Sequence, residues 1–101
     1  MEEPYDHETA RRIVRRILGE RGMTTFGSAA KEAMMREDLT SADVVNVLRG
    51  GAVRSLEVEH GIQRYRSRTK TMSVDFAFRG PESGRGEPDE VVIVGARRHG
   101  S

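Results

Sequence analysis

Four cationic side chains recur at every second position in the second half of the chain: Arg64, Arg66, Arg68 and Lys70. If this segment is a β-strand, the four side chains project from one face, and successive ones lie about 6.5–7 Å apart. That distance is close to the spacing of phosphates along a nucleic-acid strand. No acidic residue lies between positions 60 and 70, and guanidinium groups suit phosphate recognition. The spacing therefore predicts a nucleic-acid-binding face formed by these four residues.

Two other interpretations of this cationic row stay open. Glu57, Glu59 and Asp75 occupy flanking segments and could form cross-strand ion pairs with the row, which would make it an internally paired, solvated surface. The row could also contact an acidic surface of a partner protein. The pattern favours anion binding without identifying the anion.

Groups that can transfer protons lie close to the row in the sequence. Metal-free RNA cleavage requires a base for the 2′-hydroxyl, an acid for the leaving oxygen and cations beside the phosphate. We expect Arg97 to stabilise the phosphate charge, and Tyr65, Gln63 or His60 to position or move protons. The alternative roles are an exposed turn residue for His60 and a core aromatic residue for Tyr65. His99 ranks below these residues because it lies near a C-terminal end that we expect to be frayed.

Other chemistries lack the residues they need. The chain contains no cysteine, which excludes disulfides and thiolate chemistry, and its histidines and acids show no short-range metal-ligand spacing. We therefore expect neither a metal nor a cofactor. The longest apolar run, residues 91–94, is too short for a membrane span, and the acidic N-terminus does not read as a signal peptide. We expect a cytoplasmic protein without membrane contact.

Apolar periodicity predicts three helices in the first half of the chain. They cover residues 6–18, 28–37 and 40–50. We expect Asp6, Ser28 and Thr40 to be their N-caps, with Asp43 completing a capping box at the third helix.

From residue 53 onward the period changes to two, which predicts four strands. They cover residues 53–59, 62–69, 71–79 and 90–96. The segment 80–89 is rich in glycine and proline and predicts a flexible loop, and residues 97–101 predict a frayed tail.

Helices that precede strands indicate an α+β fold, with three N-terminal helices packed on one face of a C-terminal four-stranded antiparallel sheet. A chain of 101 residues, of which 36% are hydrophobic, has room for one small domain. We expect a single domain over residues 1–101, with helices at about 6–49 and the sheet at about 53–97.

Five short segments together resemble a bacterial family. They are residues 29–34 (AAKEAM), 39–44 (LTSADV), 48–51 (LRGG), 64–66 (RYR) and 91–94 (VVIV). Their order is similar to that of small bacterial domains related to the MqsR toxins and, more distantly, to RelE and BrnT. The resemblance implies a RelE-like fold and a metal-independent endoribonuclease that a co-encoded antitoxin protein holds inactive. By likeness to MqsR, Gln63 and Arg97 fall near functional positions. At the C-terminal one of these positions this chain has Arg97 where MqsR has lysine.

These observations predict an RNA-binding, mRNA-cleaving protein of the toxin type, with RNA and an antitoxin as partners. Two alternatives remain. One is a non-catalytic nucleic-acid-binding module that uses the same cationic row. The other is a protein-interaction domain for which nucleic acid is irrelevant. The sequence leaves the oligomeric state open.

Overall fold

A five-stranded mixed sheet organises the structure, a computed structural model that describes residues 3–20, 22–80 and 86–99. Along the chain the elements are α1 (His7–Gly19), β1 (Met23–Phe26), α2 (Ser28–Arg36), α3 (Ser41–Gly50), β2 (Ala52–Glu59), β3 (Ile62–Arg68), β4 (Met72–Arg79) and β5 (Glu90–Arg98). In the sheet the strands are ordered β1-β5-β4-β3-β2. β1 runs parallel to β5, whereas the other neighbouring pairs are antiparallel.

The predicted four-stranded antiparallel sheet is therefore wrong. The prediction missed β1, which is four residues long and pairs along its whole length with residues 90–93 of β5. Because its partner lies near the other end of the chain, no local hydrophobic pattern or turn reveals this pairing. A parallel pair also requires a crossover connection, which here contains two helices and three strands.

The three predicted helices are present, and two of their predicted caps are confirmed. Asp6 accepts a hydrogen bond at 2.7 Å from the backbone N–H three residues further on. Thr40 forms the predicted capping box with Asp43. At α2 the prediction is wrong by one position, because Gly27 is the N-cap and Ser28 is already helical.

The C-terminal end is more ordered than predicted. Arg97 and Arg98 belong to β5. The backbone N–H of His99 donates a hydrogen bond at 2.7 Å to the carbonyl of Thr71, just before β4. The predicted frayed tail is therefore wrong for these residues, whereas residues 100–101 lie outside the described ranges. So do residues 81–85 of the predicted flexible loop.

α1 and α3 cover one face of the sheet, and the side chains that point to them form the core. Tyr65, Phe76 and Ile93 are fully buried there. Ser67 Oγ donates a hydrogen bond at 2.8 Å to the carbonyl of Val47, which joins this side of β3 to α3. Alternate residues of each strand point to the opposite side of the sheet, which we call the open face.

α2 packs chiefly against β5. The chain leaves the sheet at Gly27, whose N–H donates a hydrogen bond at 2.9 Å to the carbonyl of Ile93. Ala29, Ala33 and Arg36 of α2 line a cavity together with residues of the open face. The expectation that all three helices pack on one face is therefore wrong for α2, which also borders the opposite face. In the described part of the chain no helix has the length and apolarity needed to cross a membrane.

Candidate nucleic-acid interface

On the open face, the strand register aligns side chains of four strands in two adjacent rows. The first row is Arg54, Arg66, Asp75 and Gly95, and the second is Ala52, Arg68, Ser73 and Arg97. Neighbouring strands lie about 4.8 Å apart, and alternate residues of one strand lie about 6.6 Å apart. Arg36 of α2 lines the same cavity as two of these arginines. We call Arg36, Arg54, Arg66, Arg68 and Arg97 the arginine patch.

One carboxylate lies among these arginines. Asp75 accepts hydrogen bonds from Arg66 Nε at 2.7 Å and from Arg66 Nη2 at 3.1 Å. This side-chain contact raises the pKa of the Arg66 guanidinium, because it favours the charged form. Within the described ranges no ion pair includes any of the other four arginines of the patch. The arginine patch therefore carries an excess of positive charge.

Part of this charge is concentrated at the β2–β3 edge of the sheet. Arg54 and Arg66 are directly opposite on neighbouring strands, and like charges in that position destabilise a sheet. Together with Arg68 they line a concavity of about 300 Å³. Both oxygens of Asp75 are already bonded to Arg66, so Asp75 leaves the other two guanidinium groups uncompensated. Such an arrangement favours an anionic ligand.

A second cavity, of about 310 Å³, lies between α2 and the open face. Arg36, Arg66 and Arg97 line it together with Ser73 and Asp75. Its remaining lining is small or apolar, because β5 contributes a glycine and α2 contributes alanines. The three guanidinium groups therefore border a space that a ligand could enter.

The predicted cationic row is realised in part. Arg64, Arg66 and Arg68 lie on β3, whereas Lys70 lies in the bend beyond the end of that strand. Arg64 is bonded to Glu59, so two of the four cations are paired with carboxylates of the same chain. That result agrees with the internally paired interpretation for these two residues. Of the remaining arginines of the patch, Arg97 of β5 was expected to act beside the row, whereas Arg54 of β2 and Arg36 of α2 were not connected with it.

Tyr65 lies on the helix side of β3 and not on the open face. Its side chain is fully buried and stacks against Phe76, with ring centroids 5.6 Å apart. Its hydroxyl accepts a hydrogen bond from the Tyr5 N–H at 3.0 Å and donates one to Glu3 at 2.7 Å. Burial, more than any other cause, raises the pKa of the Tyr65 hydroxyl. These contacts give Tyr65 a structural role, separated by the sheet from any ligand on the open face.

Gln63 and His60 also lie apart from Arg97. The Gln63 amide donates hydrogen bonds to the carbonyls of Leu56 at 2.6 Å and Arg64 at 3.1 Å, which holds it against the backbone of β2 and β3. His60 occupies the turn between β2 and β3 with a φ of 53°, and its side chain is 90% exposed. Of the four candidate catalytic residues, Arg97 alone lines the cavity.

A histidine that the sequence reasoning ranked lower lies at this site. His99 Nε2 is 2.7 Å from Ser73 Oγ, and Ser73 lines the cavity next to Arg97. The sequence did carry a signal for this contact. Continuing the alternation of β5 beyond residue 96 places Arg97 and His99 on the same face, two residues apart.

The side chains at this site suit an anion better than a metal ion. Guanidinium groups and a hydroxyl line the cavity, its carboxylate is bonded to an arginine, and an imidazole contacts the hydroxyl. Within residues 3–20, 22–80 and 86–99, no three or more histidine, cysteine, aspartate or glutamate side chains gather in a way that could hold a metal.

Comparison of the chain with protein-family models, with curated proteins and with solved structures found no match. The resemblance to toxins of the MqsR and RelE type therefore stays a prediction. The geometry of the open face is what supports a function for this chain.

Proposed function

We propose that this protein binds single-stranded RNA through the arginine patch. The observation that carries the proposal is the placement of five arginines and one carboxylate on two neighbouring rows of the open face and the adjoining helix α2. The guanidinium groups are spread over both rows, about 6.6 Å apart along one strand and about 4.8 Å apart between neighbouring strands, so they can contact several phosphates of a nucleic-acid strand that crosses the sheet. The choice of RNA over DNA rests on the resemblance to RNA-cleaving toxins.

The aromatic residues limit how bases can be recognised. Tyr5, Tyr65, Phe76 and Phe78 pack against one another on the helix side of the sheet, and the fifth aromatic residue, Phe26, packs against the same core. None of the five is therefore available for base stacking on the open face. Many single-strand binding proteins gain affinity by stacking bases on exposed aromatic rings. Binding here therefore depends on phosphate contacts, and we expect it to be sequence-tolerant and strongly reduced by salt.

The test compares two double variants that remove the same charge. Arg54→Ala/Arg68→Ala removes two cations from the patch, whereas Arg11→Ala/Arg49→Ala removes two exposed cations from α1 and α3. The plot of log K against log salt has a negative slope, and each lost phosphate contact reduces the magnitude of that slope by about 0.7 for a single strand. We therefore expect Arg54→Ala/Arg68→Ala to reduce the magnitude of the slope by about 1.4. Arg11→Ala/Arg49→Ala should leave the slope near that of the parent protein.

The measurement is fluorescence anisotropy with a labelled oligouridylate and its DNA counterpart over a range of salt concentrations. Equal slopes for the two double variants would contradict the patch as the binding surface. The absence of binding to either polymer at low salt, together with capture of an acidic protein, would favour the protein-interaction alternative.

A specific contact favours RNA cleavage as a second candidate function. His99 lies within hydrogen-bond distance of Ser73, and Ser73 lines the cavity together with Arg97. An imidazole there can accept the proton of a 2′-hydroxyl as that oxygen attacks the adjacent phosphorus, while Arg97 stabilises charge on the phosphate and the departing 5′-oxygen takes a proton from water. In this candidate function His99 takes the proton-transfer role that the sequence suggested for His60, Tyr65 or Gln63.

Two histidine variants form a matched pair for testing cleavage. We expect His99→Gln to abolish cleavage of a labelled RNA and the growth arrest caused by expression. His60→Gln should leave both unchanged because His60 is an exposed turn residue that does not line the cavity. Retained cleavage in His99→Gln, or harmless expression of the parent protein without any RNA cleavage, would contradict this candidate. Co-purification with the product of an adjoining gene would test for the antitoxin that the resemblance implies.

A further inference from the structure

We propose that the cavity between α2 and the open face binds the terminal phosphate monoester of an RNA chain. This inference rests on the proposed RNA binding. It adds the chemical class of the bound group and the direction in which the RNA chain lies on the protein. The rest of the arginine patch would contact backbone diesters, while the cavity would take the end of the chain.

The cavity is bounded on one side by α2. Ala29 and Ala33 form that wall, and Gly95 leaves the adjoining position on β5 without a side chain. A volume of about 310 Å³ is at the small end of the range for ligand pockets. A polymer that follows the two rows from β2 toward β5 meets the α2 wall at this point. The shape therefore suits the end of a chain.

The charge at the cavity matches a monoester. Arg36, Arg66 and Arg97 oppose the single carboxylate of Asp75, which leaves an excess of two positive charges. A phosphate monoester carries about −1.5 to −2 at pH 7, whereas a backbone diester carries one negative charge. A diester would leave part of the positive charge of the cavity uncompensated.

Hydrogen-bond donors are also available. Asp75 engages Nε and Nη2 of Arg66, so the geometry of that guanidinium is fixed while its Nη1 makes no hydrogen bond to the described residues. Arg36 and Arg97 likewise donate no side-chain hydrogen bond within the described ranges. Guanidinium groups bind phosphate oxygens through such paired donors. Three arginines around one cavity therefore supply more donors than a single diester requires.

The experiment measures competition among four unlabelled oligonucleotides of one sequence. The first has a 5′-phosphate, the second a 3′-phosphate and the third hydroxyl groups at both ends. The fourth has hydroxyl ends but is one nucleotide longer, so it carries one extra backbone charge. We expect one of the two phosphorylated ends to bind about five- to tenfold more tightly than either hydroxyl-ended probe. The end that is preferred gives the direction of the RNA on the protein.

Two variants locate the effect. Ala29→Glu places a carboxylate in the first turn of α2, where an acidic residue is compatible with the helix dipole, so we expect the fold to persist and the preference for a terminal phosphate to disappear. Arg54 lies outside the cavity, so Arg54→Ala should weaken the binding of all four probes by similar factors and keep the preference for a terminal phosphate. Circular dichroism confirms that both variants are folded.

The outcomes separate this inference from the proposed function. Equal affinity for phosphorylated and hydroxyl-ended probes of one length, with Arg54→Ala still weakening all of them, would overturn the terminal-phosphate site and leave RNA binding intact. A preference that persists unchanged in Ala29→Glu would overturn the location of the site. No binding of any probe at low salt would overturn both proposals.

Discussion

Replacing Asp75 with asparagine should lower stability and raise RNA affinity in the same protein. The Asp75 carboxylate is the sole acidic group in the two arginine rows described above, and it forms two hydrogen bonds to Arg66. The side chains of this pair are 22% and 34% exposed, so it is neither fully solvated nor buried. Ion pairs on the surface contribute about 0–1 kcal/mol and charged hydrogen bonds about 1.5–3 kcal/mol. We expect Asp75→Asn to cost about 1–2 kcal/mol of unfolding free energy.

The affinity changes in the opposite direction because the substitution unmasks the charge of Arg66. One additional unit charge at about 6 Å from a phosphate is worth about 0.7 kcal/mol in water, or about threefold in affinity. The slope of log K against log salt should become steeper, with its magnitude increasing by about 0.7. Urea unfolding followed by circular dichroism gives the stability, and anisotropy titration at several salt concentrations gives the affinity and the slope.

Glu90→Gln provides the control for this prediction. Glu90 lies on the same open face, pairs with Arg79 at 3.2 Å and is far along the strands from the patch. The substitution Glu90→Gln removes one negative charge, as Asp75→Asn does, and it should lower the free energy of unfolding without raising RNA affinity. Unchanged or weaker RNA binding by Asp75→Asn, or an equal gain in affinity in Glu90→Gln, would refute the assignment of the binding surface.

Three further predictions concern the elements that support the patch. Tyr65→Phe leaves the buried Tyr5 N–H without its acceptor, so urea unfolding should show a loss of about 1–3 kcal/mol while RNA binding is unchanged; loss of binding at full stability would instead indicate a functional hydroxyl. Gly51→Ala places a methyl group in collision with Ser67 Oγ, so thermal unfolding should show a loss of about 1–3 kcal/mol; parent-like stability would contradict the close approach of α3 to β3. The arginines of α1 hold the pKa of Glu87 below its usual range, chiefly through a hydrogen bond from Arg12. This contribution to stability is complete above the unfolded-state pKa and is lost as the pH falls through the folded-state pKa. Urea midpoints between about pH 6 and pH 3 should therefore fall less steeply in Glu87→Gln, and an unchanged pH profile would contradict the contact.

The strands that were predicted correctly have strong local patterns. Met72, Val74 and Phe76 alternate with residues that face the other side, and this period of two is visible without any knowledge of the partner strand. Asp6 and Thr40 cap helices through hydrogen bonds that span three residues, so the sequence contains both partners. Local physical chemistry is sufficient for these elements.

The features that were missed depend on contacts between distant parts of the chain. β1 is defined by its pairing with β5, and a run of four residues has no distinctive period of its own. Tyr65 was predicted as a proton-transfer residue with a core aromatic role as the alternative, and only the tertiary structure shows Tyr5 and Glu3 at its hydroxyl. The opposition of Arg54 and Arg66 likewise depends on the register of two strands. A cationic row can be found from its spacing, whereas the partners that neutralise or extend it cannot.

An amide NMR titration tests the proposed surface most directly. Single-stranded RNA is added to isotope-labelled protein, and the shift of each backbone amide is followed at low and at high salt. We expect the largest shifts at Arg54, Arg66, Arg68 and Arg97 and near the C-terminal end of α2, and we expect them to vanish as salt is added. Shifts confined to α1 and α3, or an unperturbed spectrum at low salt, would contradict RNA binding on the open face.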